Sequence, residues 1–152
     1  MTGNVCFGCG IENPEGLQIK SYWQNNVSIC RWQPTEKYVG WSKLLNGGII
    51  TTVIDCHCMC TASAFAYRSE KRALGSQPIY KYATGTLNVK FIKPTKVQMP
   101  IELRATVKEM KGKKTTLECM VFSEGMKTVE ATVIAIRVFD SSSASDSNLF
   151  QI

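Results

Sequence analysis

The most suggestive residues for chemistry are Asn46, Gly47 and Gly48, which precede a stretch free of Pro and Gly over residues 49–67. Two adjacent glycines let a ligand come close to the backbone, because no Cβ blocks it. The first N–H groups of a helix lack intrahelical partners and lie at the positive end of its dipole. A carbonyl oxygen gaining negative charge could be held there, as in an oxyanion hole. A simpler interpretation stays open, namely a flexible helix start with Asn46 as its N-cap.

Asp55 follows Gly47 by eight residues and is flanked by Ile54 and Cys56. A carboxylate among apolar side chains costs desolvation energy unless it is partnered, and burial makes it a stronger base, so we consider Asp55 a candidate base. Eight helical residues rise about 12 Å, which keeps Gly47 and Asp55 of one helix from reaching the same atom easily. A site between two subunits could combine them. A structural Asp that bonds to a neighbouring strand is the alternative.

A third group contains thiols and the only histidine. Cys6 and Cys9 form a Cys-x-x-Cys pair, and the helix carries Cys56, His57, Cys58 and Cys60. Such residues could bind zinc, but the second half of the chain offers no matching pair of ligands. Only Cys56 and Cys60 share a helix face. We therefore predict small buried thiols, no metal site, and a hydrogen-bonded core or interface histidine instead of a general base.

Basic residues outnumber acidic ones by 18 to 12, for a net charge of +6. Lysines at 90, 93 and 96 and around the 108–114 turn could bind the phosphates of a cofactor, although solvated strand ends and a protected hairpin are the default explanation. No aromatic residues alternate with them as a single-strand platform requires, so we predict no nucleic-acid partner. Seven cysteines without a visible signal peptide favour free thiols and a cytoplasmic location. We expect no membrane insertion, because no apolar run reaches the length of a membrane span.

The positions of apolar and turn-forming residues predict the elements around these candidates. Strands are expected at 17–24 and 27–33, a buried helix at 49–67, and four strands at 83–93, 99–110, 114–123 and 127–139, with loops at 34–43 and 68–82. This order indicates an α+β fold, with a curved antiparallel sheet wrapped around one long central helix. We predict one domain over residues 1–139 and a Ser-rich, disordered tail over residues 140–152.

Three stretches resemble a known family: CFGCGIENPEGLQIK at 6–20, LLNGGIITTVIDC at 44–56 and TGTLNVKFIKPT at 84–95. Together they are similar to the hotdog-fold acyl-CoA thioesterases, specifically the 4-hydroxybenzoyl-CoA thioesterase-like group that includes the phenylacetate-pathway enzymes. The resemblance covers about residues 6–139. It implies the same wrapped-helix fold, a homodimer that can stack into a tetramer, and active sites at the dimer interface.

The resemblance also implies roles for individual residues. Gly47 would polarise the thioester carbonyl through its N–H, Asp55 of the partner subunit would act as nucleophile or general base, and the Thr84 hydroxyl would help to hold the water. The implied substrate-binding residues are Gly48, Asn88, Val89, Lys90, Phe91 and Lys93, of which the two lysines would meet the CoA phosphates. The family's motif His is Asn46 here, and Asn can donate an amide N–H but cannot shuttle protons.

We therefore predict an acyl-CoA thioesterase that needs no cofactor beyond the CoA of its substrate. The alternative, suggested by Asn46, is a hotdog protein that binds acyl-CoA with little or no catalysis. A hydratase would need an Asp/His pair in one site, and His57 points to a different helix face from Asp55. The loop 68–82 and the helix residues Cys58, Thr61, Ala62 and Phe65 are candidates for the acyl pocket.

Overall fold

A computed structural model describes residues 4–143 of the chain. Of the predicted tail, residue 140 ends a strand and residues 141–143 form a turn, whereas residues 144–152 lie outside the described part. The elements are β1 (Ser21–Gln24), β2 (Val27–Trp32), a 3-10 turn (Glu36–Tyr38), β3 (Val39–Trp41), β4 (Leu44–Leu45), α1 (Gly47–Ser69), β5 (Tyr80–Phe91), β6 (Ile101–Lys111), β7 (Lys114–Ser123) and β8 (Met126–Asp140).

Six strands form one antiparallel sheet in the order β1-β2-β6-β7-β8-β5. Side chains alternate between its two faces, and the buried residues of β6, β7 and β8 line the face that packs against α1. β5 closes one end of the sheet with twelve residues, and β8 is its only neighbour among the described strands. The predicted α+β hotdog architecture, a curved antiparallel sheet around one long helix, is confirmed.

The helix α1 is buried on the side that faces the sheet. The side chains of Val53, Ile54, Cys58 and Ala62 have no exposed surface there. A stripe beside β5, which includes Thr52, Asp55 and Met59, is only half-buried in a single chain. By length and composition α1 could cross a membrane, but its packing on the sheet is that of a core helix. The prediction of burial on every face therefore fails along this stripe.

Three predicted boundaries were wrong. β1 begins at Ser21 instead of residue 17, because Gln18 has a φ of 53° that interrupts an extended strand. A small β3–β4 hairpin occupies the predicted loop 34–43, and both of its turn residues, Ser42 and Lys43, have positive φ. β5 begins at Tyr80, inside the predicted loop 68–82, because β8 continues to Asp140 and pairs with it.

Candidate functional site

The start of α1 is an organised backbone site. The Asn46 side-chain oxygen accepts hydrogen bonds from the N–H groups of Gly48 and Ile49, at 2.8 and 3.3 Å. The Ile50 N–H donates to the Asn46 carbonyl at 3.1 Å. Asn46 is therefore the N-cap, as the simpler interpretation held. Within residues 4–143 the Gly47 N–H has no hydrogen-bond acceptor, so it can donate to a ligand. The Gly48 N–H cannot, because it already donates to the Asn46 side chain.

Two neighbouring segments hold this helix start close to other chain atoms. A Cβ on Gly40 would lie 3.0 Å from Asn46 Cα, so the β3 backbone passes directly beside the cap. A Cβ on Gly47 would lie 3.3 Å from Phe91 Cζ, so the aromatic ring covers the glycine from the other side. Trp41 and Phe91 are 81% and 52% exposed. The helix start thus lies between the β3 backbone at Gly40 and the half-exposed ring of Phe91.

Asp55 lies two turns further along α1 and contacts β5. The Thr84 hydroxyl donates a hydrogen bond to Asp55 Oδ1. This contact joins two residues that the resemblance implied as catalytic, and it leaves the second carboxylate oxygen for a water or a substrate. Asp55 is half-buried and Thr84 is exposed, so a ligand can reach both.

A β-bulge at Gly85 aims Thr84 at the helix. Thr84 pairs with Ala135 and Thr86 pairs with Ile134, which leaves Gly85 as an extra residue in β5. A Cβ on Gly85 would lie 2.8 Å from Ile136 Cγ1, so the bulge requires glycine. Gly85 is a site residue that was not predicted, although an isolated glycine within a strand pattern is a known indication of a bulge.

The bulge also changes which residues of β5 face the helix. Before it, Tyr82 and Thr84 point to the helix side; after it, Leu87, Val89 and Phe91 do. The predicted substrate-binding residues are therefore divided between the two faces of the sheet. Val89 packs against the core and Phe91 against the helix start.

Asn88 and Lys90 lie on the outer face of the sheet. Their cross-strand partners there are Thr132 and Glu130, and they line an open groove of about 420 Å³. Lys90 Nζ lies 3.5 Å from Glu130, whose pKa is lowered chiefly by a hydrogen bond from Lys127. Within one chain, Asn88 and Lys90 are therefore separated by the sheet from Gly47 and Asp55.

Lys93 follows the end of β5 on the exposed surface. Its Nζ lies 3.8 Å from the Met126 sulfur, and its backbone N–H donates to the Thr128 carbonyl at 3.1 Å. The backbone is thus anchored, while the ammonium group lies on the exposed surface beside Met126.

His57 is a buried, hydrogen-bonded core residue. Its Nδ1 lies 2.8 Å from the Ser21 hydroxyl and its Nε2 3.1 Å from the Ser28 carbonyl, which requires the proton on Nε2. Burial lowers the pKa of His57 to about 4, so the ring is neutral near pH 7. This geometry confirms the predicted core role and provides no Asp55/His57 pair for hydratase chemistry.

The proposed acyl-pocket residues of the helix are mostly unavailable. Cys58, Thr61 and Ala62 are at most 1% exposed and belong to the core against the sheet. The sequence placed them in the acyl pocket because a helix that is apolar on every face does not reveal which face meets the sheet. A concave region of about 350 Å³ lies instead between the N-terminal loop, β1 and α1, lined on the apolar side by Ile19, Trp23, Ala64 and Leu74.

Comparisons with known proteins agree with this arrangement. The family model described as Thioesterase superfamily matches residues 42–130, more than half of the chain. This range includes the N-cap, both glycines, Asp55, Thr84 and the bulge. A search of curated proteins gave no match.

Solved structures show the same fold. A thioesterase superfamily protein from Shewanella loihica is 26% identical, with a TM-score of 0.64, over 78% of this chain and 90% of that one. A thioesterase from Haemophilus influenzae is 10% identical, with a TM-score of 0.71, over 90% and 89%. A Streptococcus mutans protein solved with acetyl-CoA bound is 12% identical, with a TM-score of 0.64, over 80% and 90%. The chain belongs to the Thioesterase superfamily.

Proposed function

We propose that the protein is a cytoplasmic acyl-CoA thioesterase that hydrolyses its substrate to a free acid and CoA. The observation that carries the proposal is the hydrogen bond from Thr84 to Asp55 at an accessible edge of the helix, in a chain whose helix start also offers the Gly47 N–H. The likeness to a protein with bound acetyl-CoA supports a CoA thioester as the substrate class.

The site is completed by a second copy of the chain. Gly47 and Asp55 of one helix are about 12 Å apart along its axis, which is too far for one carbonyl group. The half-buried side of α1, the exposed aromatic residues Trp41 and Phe91, and the twelve-residue edge strand β5 all border this region. A homodimer that covers them would place Gly47 of one subunit opposite Asp55 of the other. Stacking of such dimers into a tetramer is compatible with this arrangement.

In the proposed reaction, a water held by Asp55 and Thr84 attacks the thioester carbonyl carbon while the Asp55 carboxylate takes a proton from it. The carbonyl oxygen becomes an oxyanion that accepts a hydrogen bond from Gly47 N–H. Collapse of this intermediate breaks the C–S bond, and the leaving CoA thiolate receives the proton that Asp55 had taken. Direct attack by the Asp55 carboxylate, followed by hydrolysis of the acyl-enzyme anhydride, is the second route. The Asn46 amide N–H is a further donor for the same oxygen, and Lys93 is suited to the phosphates of CoA.

The alternative is a protein that binds acyl-CoA without useful turnover. The role of Asn46 favours it, because the Asn46 side-chain oxygen is used by the helix cap and the residue cannot transfer protons. A thiol-release assay over acyl-CoAs of different chain length, with binding measured in parallel by calorimetry, separates the two functions. Release of CoA supports the thioesterase, and tight binding without release supports the alternative.

The matched test of the mechanism is Asp55→Asn against Glu109→Gln. Glu109 is an exposed carboxylate on the β6–β7 hairpin that pairs only with a neighbouring lysine among the described residues. We expect Asp55→Asn to lower kcat at least a hundredfold, about 2.7 kcal/mol in the barrier, and Glu109→Gln to leave it unchanged. Unchanged turnover in a folded Asp55→Asn protein would remove this carboxylate from the mechanism.

A further inference from the structure

The N-terminal loop, residues 4–19, lies against the outer side of α1 with little apolar packing of its own. Its large apolar side chains Val5, Phe7 and Ile11 are 65%, 48% and 63% exposed, and only Leu17 and Ile19 enter the core. Backbone hydrogen bonds order the loop internally, for example from Gly10 N–H to the Cys6 carbonyl at 2.8 Å. The contact that joins the loop to the helix must therefore come from other side chains.

A cluster of cysteine sulfurs makes that contact. Cys6 Sγ lies 3.5 Å from Cys56 Sγ, and the sulfurs of Cys6, Cys9 and Cys56 all lie within 4.8 Å of one another. Cys60 is one helical turn after Cys56, on the same face, and its thiol also contacts Cys9. All seven cysteines are free thiols, so no disulfide explains the proximity.

Two glycines make the close approach possible. A Cβ on Gly8 would lie 2.2 Å from Cys56 Sγ, which no side chain tolerates. A Cβ on Gly10 would lie 2.5 Å from the backbone nitrogen of Cys6, so the turn that brings Cys6 and Cys9 together leaves no room for a side chain at this position. The loop backbone is therefore shaped to place its two thiols on the helical cysteines.

The surroundings of the cluster are suited to a bound cation. The Asn4 side-chain amide donates a hydrogen bond to the Cys9 sulfur at 3.6 Å, and such a bond can also orient a thiolate ligand. Thiols bind a divalent metal as thiolates, so a cation among these sulfurs would be held by their negative charge.

We propose that Cys6, Cys9, Cys56 and Cys60 bind one zinc ion that fastens the N-terminal loop to the central helix. Four sulfurs at the Zn–S bond length are separated by about 3.8 Å in a tetrahedron, close to the spacing of the three clustered sulfurs. Each thiol releases its proton to solvent as the thiolate binds the metal. Four thiolates fill the coordination sphere, so the site is structural and leaves no position for a substrate. The proposal revises the expectation of no metal.

The test measures metal in the full chain purified from zinc-supplemented cells under reducing conditions. We expect one zinc per chain by mass spectrometry of the metals, and a lower Tm after a strong zinc chelator is added. The double variant Cys6→Ser/Cys9→Ser should lose the zinc and become insensitive to the chelator. Cys119→Ala is the control, because Cys119 is a thiol buried in the sheet outside the cluster, and it should retain both properties.

A second measurement does not depend on the stability of any variant. Cobalt added to the metal-depleted wild-type chain should give the visible absorption of a tetrahedral thiolate site, and zinc should abolish it. Negligible metal in the wild-type chain together with no cobalt spectrum would overturn the proposal. Equal zinc in the wild-type and double-variant chains would overturn the ligand set, and bound iron with sulfide would overturn the assignment to zinc.

Discussion

Replacing Gly47 by proline tests the oxyanion donor with little change to the fold. Gly47 is the first residue of α1, and proline is favoured at this position because its missing N–H has no helical partner. The preceding residue, Asn46, has φ −59° and ψ 130°, which is the extended conformation that a residue before proline adopts. The substitution therefore removes one hydrogen-bond donor while the helix and its cap remain.

The expected magnitude follows from the loss of that single donor. Deleting one oxyanion-hole donor lowers kcat by about 10²- to 10³-fold, or about 3–4 kcal/mol. Any Cβ at Gly47 would lie 3.3 Å from Phe91 Cζ, so steric contact with the ring must be controlled for. Gly47→Ala supplies the control, because it adds the same Cβ and keeps the N–H. Both substitutions restrict the unfolded chain, so neither should lower the free energy of unfolding.

The assay is CoA release under saturating substrate, with circular dichroism and unfolding curves for all three proteins. We expect Gly47→Ala to keep most of the activity and Gly47→Pro to lose it while remaining folded. Equal activity of the two variants would refute a role for the Gly47 N–H. If Gly47→Ala also loses activity, its loss measures the contact with Phe91, and only the additional loss in Gly47→Pro measures the donor.

Mixing inactive chains extends this experiment to the dimer. Heterodimers of Asp55→Asn and Gly47→Pro contain one site with both defects and one intact site. Random exchange makes half of the dimers mixed, so activity should recover to about a quarter of the wild-type value. Absence of recovery after verified subunit exchange would refute a site shared between two subunits.

Two further substitutions test single hydrogen bonds. Thr84→Val removes the hydrogen-bond donor to Asp55 and should lower kcat about tenfold, as expected for a hydrogen bond to a charged group. Thr84→Ser keeps the hydroxyl and should remain near wild type. Equal kcat values for the two variants would exclude a role for the hydroxyl. Tyr67→Phe removes the acceptor of the buried Tyr80 N–H and should lower the free energy of unfolding, measured in urea, by about 1–3 kcal/mol. Tyr22→Phe is the control, because Tyr22 is 42% exposed, and it should change that free energy little. An equal loss in both variants would contradict a stabilising role for the Tyr67 hydroxyl.

The elements were largely predictable because their signals are local. The long helix, its start near Asn46, and the β6–β7 and β7–β8 turns follow from periodicity and turn residues, and all appear in the structure. The added β3–β4 hairpin and the early start of β5 were not predictable. The hairpin pairs near neighbours through a turn at Ser42 and Lys43, which lacks the usual Asn-Gly or Asp-Gly signal. The early start of β5 depends on pairing with β8, which is distant in sequence, and local propensity does not report such pairing.

The types of residues at the candidate site were visible in the sequence, but their partners were not. Pattern and resemblance selected Asp55 and Thr84, yet the bulge at Gly85 turns Thr84 toward the helix and leaves Asn88 and Lys90 on the far face. One extra residue in a strand reverses the side on which every later side chain lies. No pattern of single residues specified where that reversal occurs.

The sequence by itself determined that the chain has one long apolar helix, a following antiparallel meander, a glycine pair at the helix start and a carboxylate two turns later. Only the tertiary structure decided which helix face meets the sheet, and thus that His57 is buried while Asp55 remains accessible. It also decided that thiols separated by fifty residues meet beneath the N-terminal loop. The physical reason is that burial and proximity depend on how distant segments pack, and the helix is apolar on every side, so its own pattern selects no face.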